Sequence, residues 1–128
     1  MLRILVIEDD ALIRGVLSRI LEACGYAVTQ VADGPTGLGV CREQGADLVL
    51  TDLQMPGMNG IEVITELRAF APNLPVIVMS AEVRSGDLDP LGDAKRLGVA
   101  GVLAKPFNRE ALTQLVATAL QRHDESKE

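Results

Sequence analysis

The sequence predicts one α/β domain in which a parallel β-sheet carries helices on both faces. Apolar runs of strand length alternate with segments of helical period five times along the chain, which is typical of this architecture. The length of 128 residues fits a single domain, and a hydrophobic content of 48% is sufficient for a closed core.

Five apolar runs predict the strands of this sheet. They are Leu2–Ile7, Ala27–Ala32, Leu48–Thr51, Val76–Met79 and Gly101–Ala104. The first, third and fourth runs are continuously apolar, as strands are when helices cover both faces of a sheet. We therefore expect these three strands at its centre.

The first and last helices have clear boundaries. The first should end at Gly25, because glycine readily adopts the left-handed conformation that follows a helix. Its predicted buried stripe consists of Ile13, Val16, Leu17, Ile20 and Cys24. Asn108 is the predicted N-cap of the last helix. The predicted inner face of that helix consists of Leu112, Leu115, Val116, Ala119 and Leu120.

Two helices between them are weakened by their sequences. Gly37 and Gly39 each cost the second helix about 1 kcal/mol relative to alanine, so tertiary packing must stabilise it. The stretch Ser85–Gly92 contains two glycines and a proline, and proline inside a helix costs about 3 kcal/mol. We therefore expect the fourth helix to be short and to lie near Asp93–Leu97.

Composition excludes several classes of function. A net charge of −6 disfavours direct binding to nucleic acid, and the chain has no Trp, one Tyr and two Phe for stacking on bases. No apolar run approaches the roughly 20 residues of a membrane span, so we expect a cytoplasmic protein without membrane contact. Cys24 and Cys41 form no CxxC pair and are predicted to be small core residues in a reducing compartment.

Polar residues follow four of the predicted strands. The first strand leads into Glu8, Asp9 and Asp10, the third into Asp52, the fourth into Ser80 and the fifth into Lys105 and Pro106. In an open parallel sheet, ligands bind beyond the carboxyl ends of the strands. These side chains should therefore converge on one edge.

The converging carboxylates predict a magnesium site. Clustered carboxylates repel one another unless a cation is present, and hard oxygen ligands suit Mg²⁺. Lys105 and Ser80 could hold phosphoryl oxygens that a purely acidic cluster would reject. Each residue also has a local explanation: Glu8 and Asp10 as a helix start, Asp52 as a turn former and Ser80 as a cap. Four such residues at successive strand ends would require coincidence.

These motifs resemble those of response-regulator receiver domains along nearly the whole chain. The resemblance is carried by the segments ILVIEDD, TDLQMPGMNG, PVIVMSA and LAKPF, which agree in order, spacing and strand context. It implies a flavodoxin-like, doubly wound, five-stranded parallel sheet of strand order 2-1-3-4-5. The receiver domain would occupy residues 1–122, followed by a polar tail at residues 123–128.

The resemblance also implies a role for each site residue. Asp52 would be the phosphoacceptor, Ser80 the switch hydroxyl and Lys105 the site lysine, with a cis peptide bond before Pro106. The Mg²⁺ ligands would be Asp9, Asp52, the backbone carbonyl of Gln54 and, mostly through water, Glu8. Asp10 is left as a helix-start residue or a minor member of the site.

The implied activity is phosphoryl transfer from a partner. A sensor histidine kinase or phosphotransfer protein would donate a phosphoryl group to Asp52, and the resulting conformational change would act on a downstream protein. The domain would catalyse its own phosphorylation and slow dephosphorylation, without turnover of external substrates. His123, the only histidine, lies in the predicted tail, so the donor should be another molecule.

The sequence departs from the family pattern in two places. The first is Val102, which stands where many receivers carry an aromatic residue on the fifth strand that rotates with the switch hydroxyl. We therefore expect the signal to pass through the segment Ala81–Leu97 instead of through such a rotation. The second is the interrupted stretch Ser85–Gly92 within that segment, which is longer and less helical than the family pattern.

Other readings remain open. The chain could be a module of a larger regulator or hybrid kinase. A phosphatase of the haloacid dehalogenase type is disfavoured, because Gln54 occupies the position of its general acid. A nucleotide-binding module is weaker still, since Glu8, Asp9 and Asp10 stand where glycines would hold phosphate.

Overall fold

The computed structural model describes residues 1–80 and 90–126. Strands and helices alternate strictly along this part of the chain. They are β1 Arg3–Ile7, α1 Ala11–Ala23, β2 Ala27–Val31, α2 Gly34–Gln44, β3 Leu48–Asp52, α3 Gly60–Phe70, β4 Val76–Ser80, α4 Pro90–Arg96, β5 Gly101–Ala104 and α5 Arg109–Ser126. Each pair of neighbouring strands is parallel, in the order β2-β1-β3-β4-β5. The predicted fold class and strand order are confirmed.

The three strands predicted to be central are β1, β3 and β4, and all three lie inside the sheet. Every residue of β3 and β4 is buried. Both strands extend one residue further than predicted, so that Asp52 and Ser80 are the last residues of their strands. The side chains of Asp52 and Ser80 therefore lie at the carboxyl edge of the sheet.

The sheet separates two hydrophobic cores, because successive strand residues point to opposite faces. On β1, Leu5 and Ile7 belong to the core beneath α2, α3 and α4. Ile4 and Val6 belong to the core beneath α1 and α5. The helices on both faces explain why a central strand such as β1 is apolar at consecutive positions.

The buried face of α1 differs from the predicted stripe. Leu17 and Leu21 are fully buried, whereas Val16 is 38% exposed and Cys24 is exposed beyond the last helical residue. The buried pair has the i, i+4 spacing of a helix face, and Val16 lies one position away from it. Gly25 follows the helix with φ of 95°, so the predicted end of α1 is confirmed.

Helix α2 is stabilised by packing, as the sequence predicted. A Cβ atom at Gly37 would lie 2.5 Å from Ile7 Cδ1, whereas a Cβ atom at Gly39 would have no neighbour within 4 Å. Gly37 therefore permits close approach of α2 to the sheet. Cys41 is buried in the same helix, as predicted, although the corresponding prediction for Cys24 is wrong.

The C-terminal helices follow the prediction in most respects. Helix α4 is short, as predicted, with seven described residues, but it includes Pro90, three residues before the predicted start at Asp93. Proline is tolerated there because it lies in the first turn of the described helix. The Asn108 side chain accepts a hydrogen bond from the Ala111 N–H at 2.7 Å, which confirms the cap of α5. The predicted inner face of α5 packs into the core. Helix α5 continues to Ser126, into the predicted tail.

The segment predicted to carry the signal is described only in part. Residues 81–89, which include most of the segment expected to carry the signal, lie outside the described ranges. Within those ranges, none of the helices combines the length and apolarity that crossing a bilayer requires.

Candidate functional site

The side chains at the carboxyl ends of β1, β3 and β5 meet at one edge of the sheet. Lys105 Nζ donates hydrogen bonds to Asp52 Oδ2 at 2.7 Å and to Glu8 Oε1 at 3.0 Å. Glu8 is 1% exposed and Asp52 is 6% exposed. The predicted convergence of these three residues is confirmed, and it takes the form of two partly buried ion pairs that share one cation.

Burial and charge act in opposite directions on this cluster. The pKa of Glu8 is raised above 4.5, mainly because burial removes water from the carboxylate, although hydrogen bonds from the Asp10 N–H and Lys105 oppose the shift. Burial alone would lower the pKa of Lys105, but hydrogen bonds and charge from Asp52 and Glu8 outweigh it and raise this pKa. The lysine is thus held in its charged form beside the two carboxylates.

A third carboxylate completes a set of oxygen donors. Oxygens of Glu8, Asp9 and Asp52 lie within 4.8 Å of one another, and Asp9 is exposed to solvent. Lys105 supplies one positive charge to three carboxylates, so the cluster retains net negative charge on its open side. Several clustered oxygens and an accessible face fit Mg²⁺, which binds through one or two carboxylates and keeps several waters.

The loop after β3 orients Asp52 from the other side. The Gln54 N–H donates a hydrogen bond to Asp52 Oδ1 at 3.1 Å, so both oxygens of the Asp52 carboxylate have partners. Gly57 has φ of 77° and turns the loop toward Asn59, whose side chain and Glu62 form a capping box at the start of α3. Gln54, predicted as a metal ligand through its carbonyl, lies beside Asp52.

Gly60 is a site residue that the sequence did not reveal. A Cβ atom there would lie 2.5 Å from the Asp52 carbonyl oxygen and 2.7 Å from Leu53 Cα, and its own N–H donates to the Leu53 carbonyl at 3.0 Å. Helix α3 therefore begins in direct contact with the main chain of the strand that bears Asp52. The pattern Asn59-Gly60 before an apolar helix was the available signal.

Ser80 lies at the end of the neighbouring strand. It is 6% exposed, and its carbonyl accepts a hydrogen bond from the Lys105 N–H at 2.9 Å. The peptide bond between Lys105 and Pro106 is cis, as predicted. The ends of β4 and β5 are thereby joined through the backbone next to the Lys105 side chain.

Asp10 serves the first helix. Its Oδ1 accepts hydrogen bonds from the N–H groups of Leu12 at 2.9 Å and Ile13 at 3.1 Å, so it is the N-cap of α1. Its backbone N–H donates to Glu8 Oε2 at 3.1 Å. Asp10 thus supports Glu8 through the main chain, while its carboxylate is used for capping.

Arg14 is a second residue that the sequence did not reveal. Its Nη1 donates a hydrogen bond of 2.7 Å to the Glu8 carbonyl oxygen. A positive charge near the start of a helix, such as that of Arg14, interacts unfavourably with the helix dipole. This unfavourable position was the only indication in the sequence that Arg14 has a specific partner.

On β5, Val102 is partly buried and packs against the α2 to α4 side of the core. No aromatic side chain is present at this position. The expected absence of an aromatic switch on β5 follows from the sequence itself.

Comparison with known proteins places this site in a family. The model of the response regulator receiver domain matches residues 4–117. The sporulation initiation phosphotransferase F of Bacillus subtilis is 34% identical over 114 residues, which cover 89% of this chain and 90% of that protein. The DNA-binding transcriptional regulator NtrC of Salmonella typhimurium is 33% identical over 96% of this chain, which spans only 26% of that regulator.

A solved structure gives the same result. A response regulator receiver domain protein from Clostridium thermocellum superposes with a TM-score of 0.88 at 28% identity, covering 97% of this chain and 98% of the other. The family model spans the segments that carry Glu8, Asp52 and Lys105. The chain therefore belongs to the response regulator receiver domains of two-component signalling.

Proposed function

We propose that Asp52 is the phosphoacceptor of this receiver domain and takes its phosphoryl group from a phosphohistidine of a partner protein. The observation that carries the proposal is the fixed orientation of the Asp52 carboxylate between Lys105 Nζ at 2.7 Å and the Gln54 N–H at 3.1 Å. A nucleophile held on a strand end, beside a cation and next to solvent, suits in-line attack on phosphorus.

The proposed metal site uses Asp9, Asp52 and the Gln54 carbonyl as direct ligands of Mg²⁺, with Glu8 acting through water. The cluster of carboxylate oxygens within 4.8 Å supports this assignment. When bound, Mg²⁺ would neutralise charge on the phosphoryl oxygens. Asp9 is the most exposed of the three carboxylates, so it is the one best placed to meet an incoming ion.

In the proposed reaction, an Asp52 oxygen forms a bond to phosphorus while the bond between phosphorus and the donor nitrogen breaks. The electron pair of that bond stays on the donor nitrogen, and the imidazole leaves as the neutral base because its other ring nitrogen carries a proton taken from solvent. Lys105 releases part of its contact with Asp52 and holds a phosphoryl oxygen in the product. The Ser80 hydroxyl then turns toward the new phosphoryl group, and this movement starts the response.

The proposed product acts as a signal. A sensor histidine kinase or a phosphotransfer protein is the donor, a downstream protein is the target, and the location is cytoplasmic.

NtrC is by its name a DNA-binding regulator, but this chain spans about a quarter of it. We propose that any link to DNA runs through another domain or protein, because a net charge of −6 opposes direct binding. The receiver itself occupies residues 1–122.

The proposal is tested by phosphorylation with acetyl phosphate and Mg²⁺, followed by intact-mass measurement and peptide mapping. We expect one phosphoryl group on Asp52, none on Asp52→Asn, and normal modification of Asp47→Asn. Asp47 accepts a hydrogen bond from the Arg3 N–H at 2.7 Å at the other end of the sheet, and asparagine can accept the same bond. Modification of Asp52→Asn to the wild-type extent would refute the assignment.

The metal ligands are tested separately by Mg²⁺ titration. Asp9→Asn should weaken binding, because it removes one of few anionic ligands from a weakly held hard cation. Asp47→Asn is again the matched control. An unchanged Mg²⁺ affinity in Asp9→Asn would remove Asp9 from the ligand set.

A further inference from the structure

Arg68 connects two regions of the chain through backbone carbonyls. Its Nε donates a hydrogen bond to the Leu97 carbonyl at 2.9 Å, and its Nη2 donates to the Gly98 carbonyl at 3.3 Å. Its Nη1 donates to the carbonyls of Leu74 at 2.9 Å and Ala71 at 3.3 Å. One guanidinium therefore ties the end of α3 and the loop before β4 to the turn that follows α4.

The surroundings of Arg68 suit a guanidinium and no other side chain. Among the described residues, no carboxylate lies within ion-pair distance of it. Three of its four partners, all except Leu74, are instead carbonyls near the C-terminal ends of two helices, where the helix dipole leaves negative partial charge. Arginine has five donors in a planar fork, whereas lysine is a point charge on a flexible stem, so lysine cannot make this set of contacts.

Helix α4 is short in the part of the chain that the structure describes. It contains seven residues, a length at which an isolated helix is unstable in water. Ala94 anchors it in the core, and the helix ends in a turn in which Leu97, Gly98 and Val99 donate to the carbonyls of Ala94 and Lys95. Arg68 binds that same turn from α3.

We propose that Arg68 is a positioning residue that fixes the C-terminal end of α4 to α3, so that phosphorylation at Asp52 moves α4 about this fixed end. The inference rests on the proposed function, because it requires phosphorylation at Asp52. Since α4 follows Ser80 in the chain, a movement of Ser80 would reach the N-terminal end of α4 first. A fixed far end converts displacement near Ser80 into rotation of α4. A free end would let the whole helix shift or unwind.

The test combines amide hydrogen exchange with titration of beryllofluoride, a phosphoryl mimic, in the presence of Mg²⁺. The variants are Arg68→Met, which keeps the apolar stem, and Arg68→Lys, which keeps the charge. Arg42→Met is the control, because Arg42 is an exposed arginine of α2 that pairs with Glu66 and lies over the Phe70 ring. Thermal melts verify that each variant is folded.

In wild type and Arg42→Met, we expect the amides of residues 97–99 to exchange at the same rate with and without the mimic. In Arg68→Met, their exchange without the mimic should be at least about tenfold faster, because hydrogen bonds to a charged donor are lost. Arg68→Lys should fall between the two. The affinity for beryllofluoride should change at least about threefold in Arg68→Met, since the energy of the α4 rearrangement is part of the binding equilibrium.

Wild-type exchange at residues 97–99 in Arg68→Met would overturn the tether. Faster exchange with unchanged beryllofluoride affinity would overturn the coupling and leave Arg68 with a structural role only. Failure of wild type to bind the mimic at Asp52 would refute the proposed function. The exchange measured without the mimic would still decide whether Arg68 holds α4.

Discussion

The Lys105 ammonium lies 2.7 Å from Asp52 Oδ2 and simultaneously contacts Glu8, so one lysine pairs with the two most buried carboxylates of the site. The sequence predicted that Lys105 faces the carboxylates. The structure adds that the Lys105 ammonium donates a hydrogen bond to each of them.

Lys105→Ala should lower the free energy of unfolding of the metal-free protein at pH 7 by up to about 3 kcal/mol, because it leaves Glu8 and Asp52 buried without a counter-charge. We expect the fold to persist and the structural response to beryllofluoride to be lost. Chemical denaturation checks stability, with Lys95→Ala on the exposed side of α4 as the control. A variant with wild-type stability and a full response would contradict the role of Lys105.

Glu8 should make the stability of the metal-free protein depend on pH. Its pKa is raised by burial above the ordinary value of 4.5, so the folded state binds a proton more readily than the unfolded state. The contribution of Glu8 to stability is therefore most favourable below pH 4.5 and declines as the pH rises through the folded pKa.

Glu8→Gln removes this titration but keeps an oxygen that can accept from Lys105 or the Asp10 N–H. The free energy of unfolding of Glu8→Gln relative to wild type should therefore increase with rising pH above 4.5. Denaturant titrations at a series of pH values without metal give this difference. A difference that stays constant with pH would show that Glu8 has no net shift.

Two of the three glycines of α2, Gly37 and Gly39, should respond oppositely to alanine. Gly39→Ala should raise the free energy of unfolding by up to about 1 kcal/mol, because the added methyl group meets no atom within 4 Å and alanine favours the helix. Gly37→Ala should lower it by about 1–3 kcal/mol, since its Cβ would lie 2.5 Å from Ile7 Cδ1 in a closed core. Equal effects in thermal melts would mean that α2 can move away from the sheet.

The two cysteines should differ in reactivity toward a maleimide. Cys24 is exposed after α1, whereas Cys41 is 8% exposed and burial raises the pKa of its thiol. Mass spectrometry of the native protein should find label on Cys24 first, and on Cys41 only when denaturant opens the fold. Cys24→Ser should then remain unlabelled under native conditions, and rapid labelling of that variant would contradict the burial of Cys41.

The sequence was informative wherever a local pattern determines structure. The apolar character of the strands, the cap at Asn108 and the positive φ at Gly25 follow from the chemistry of a few neighbouring residues. The convergence of Glu8, Asp52 and Lys105 also follows, because all parallel strands end at one edge.

The remaining features depend on contacts distant in sequence. Val16 and Leu21 are both apolar, and the packing of α5 and the sheet decides which of them is buried. The four carbonyl partners of Arg68 are backbone atoms, which carry no mark in the sequence. Gly60 likewise gains its meaning only from the main chain that lies against it.

The contact at Gly60 affects how this domain can change in evolution. Because the helix backbone at Gly60 rests on the backbone at Asp52 and Leu53, the spacing between α3 and the Asp52 carboxylate is set by main-chain atoms. Main-chain atoms are the same in every sequence. Lineages can therefore exchange the apolar side chains of α3, and with them the shape of the neighbouring surface, while the carboxylate keeps its position. Glycine at this one site makes divergence in the rest of the helix compatible with unchanged chemistry.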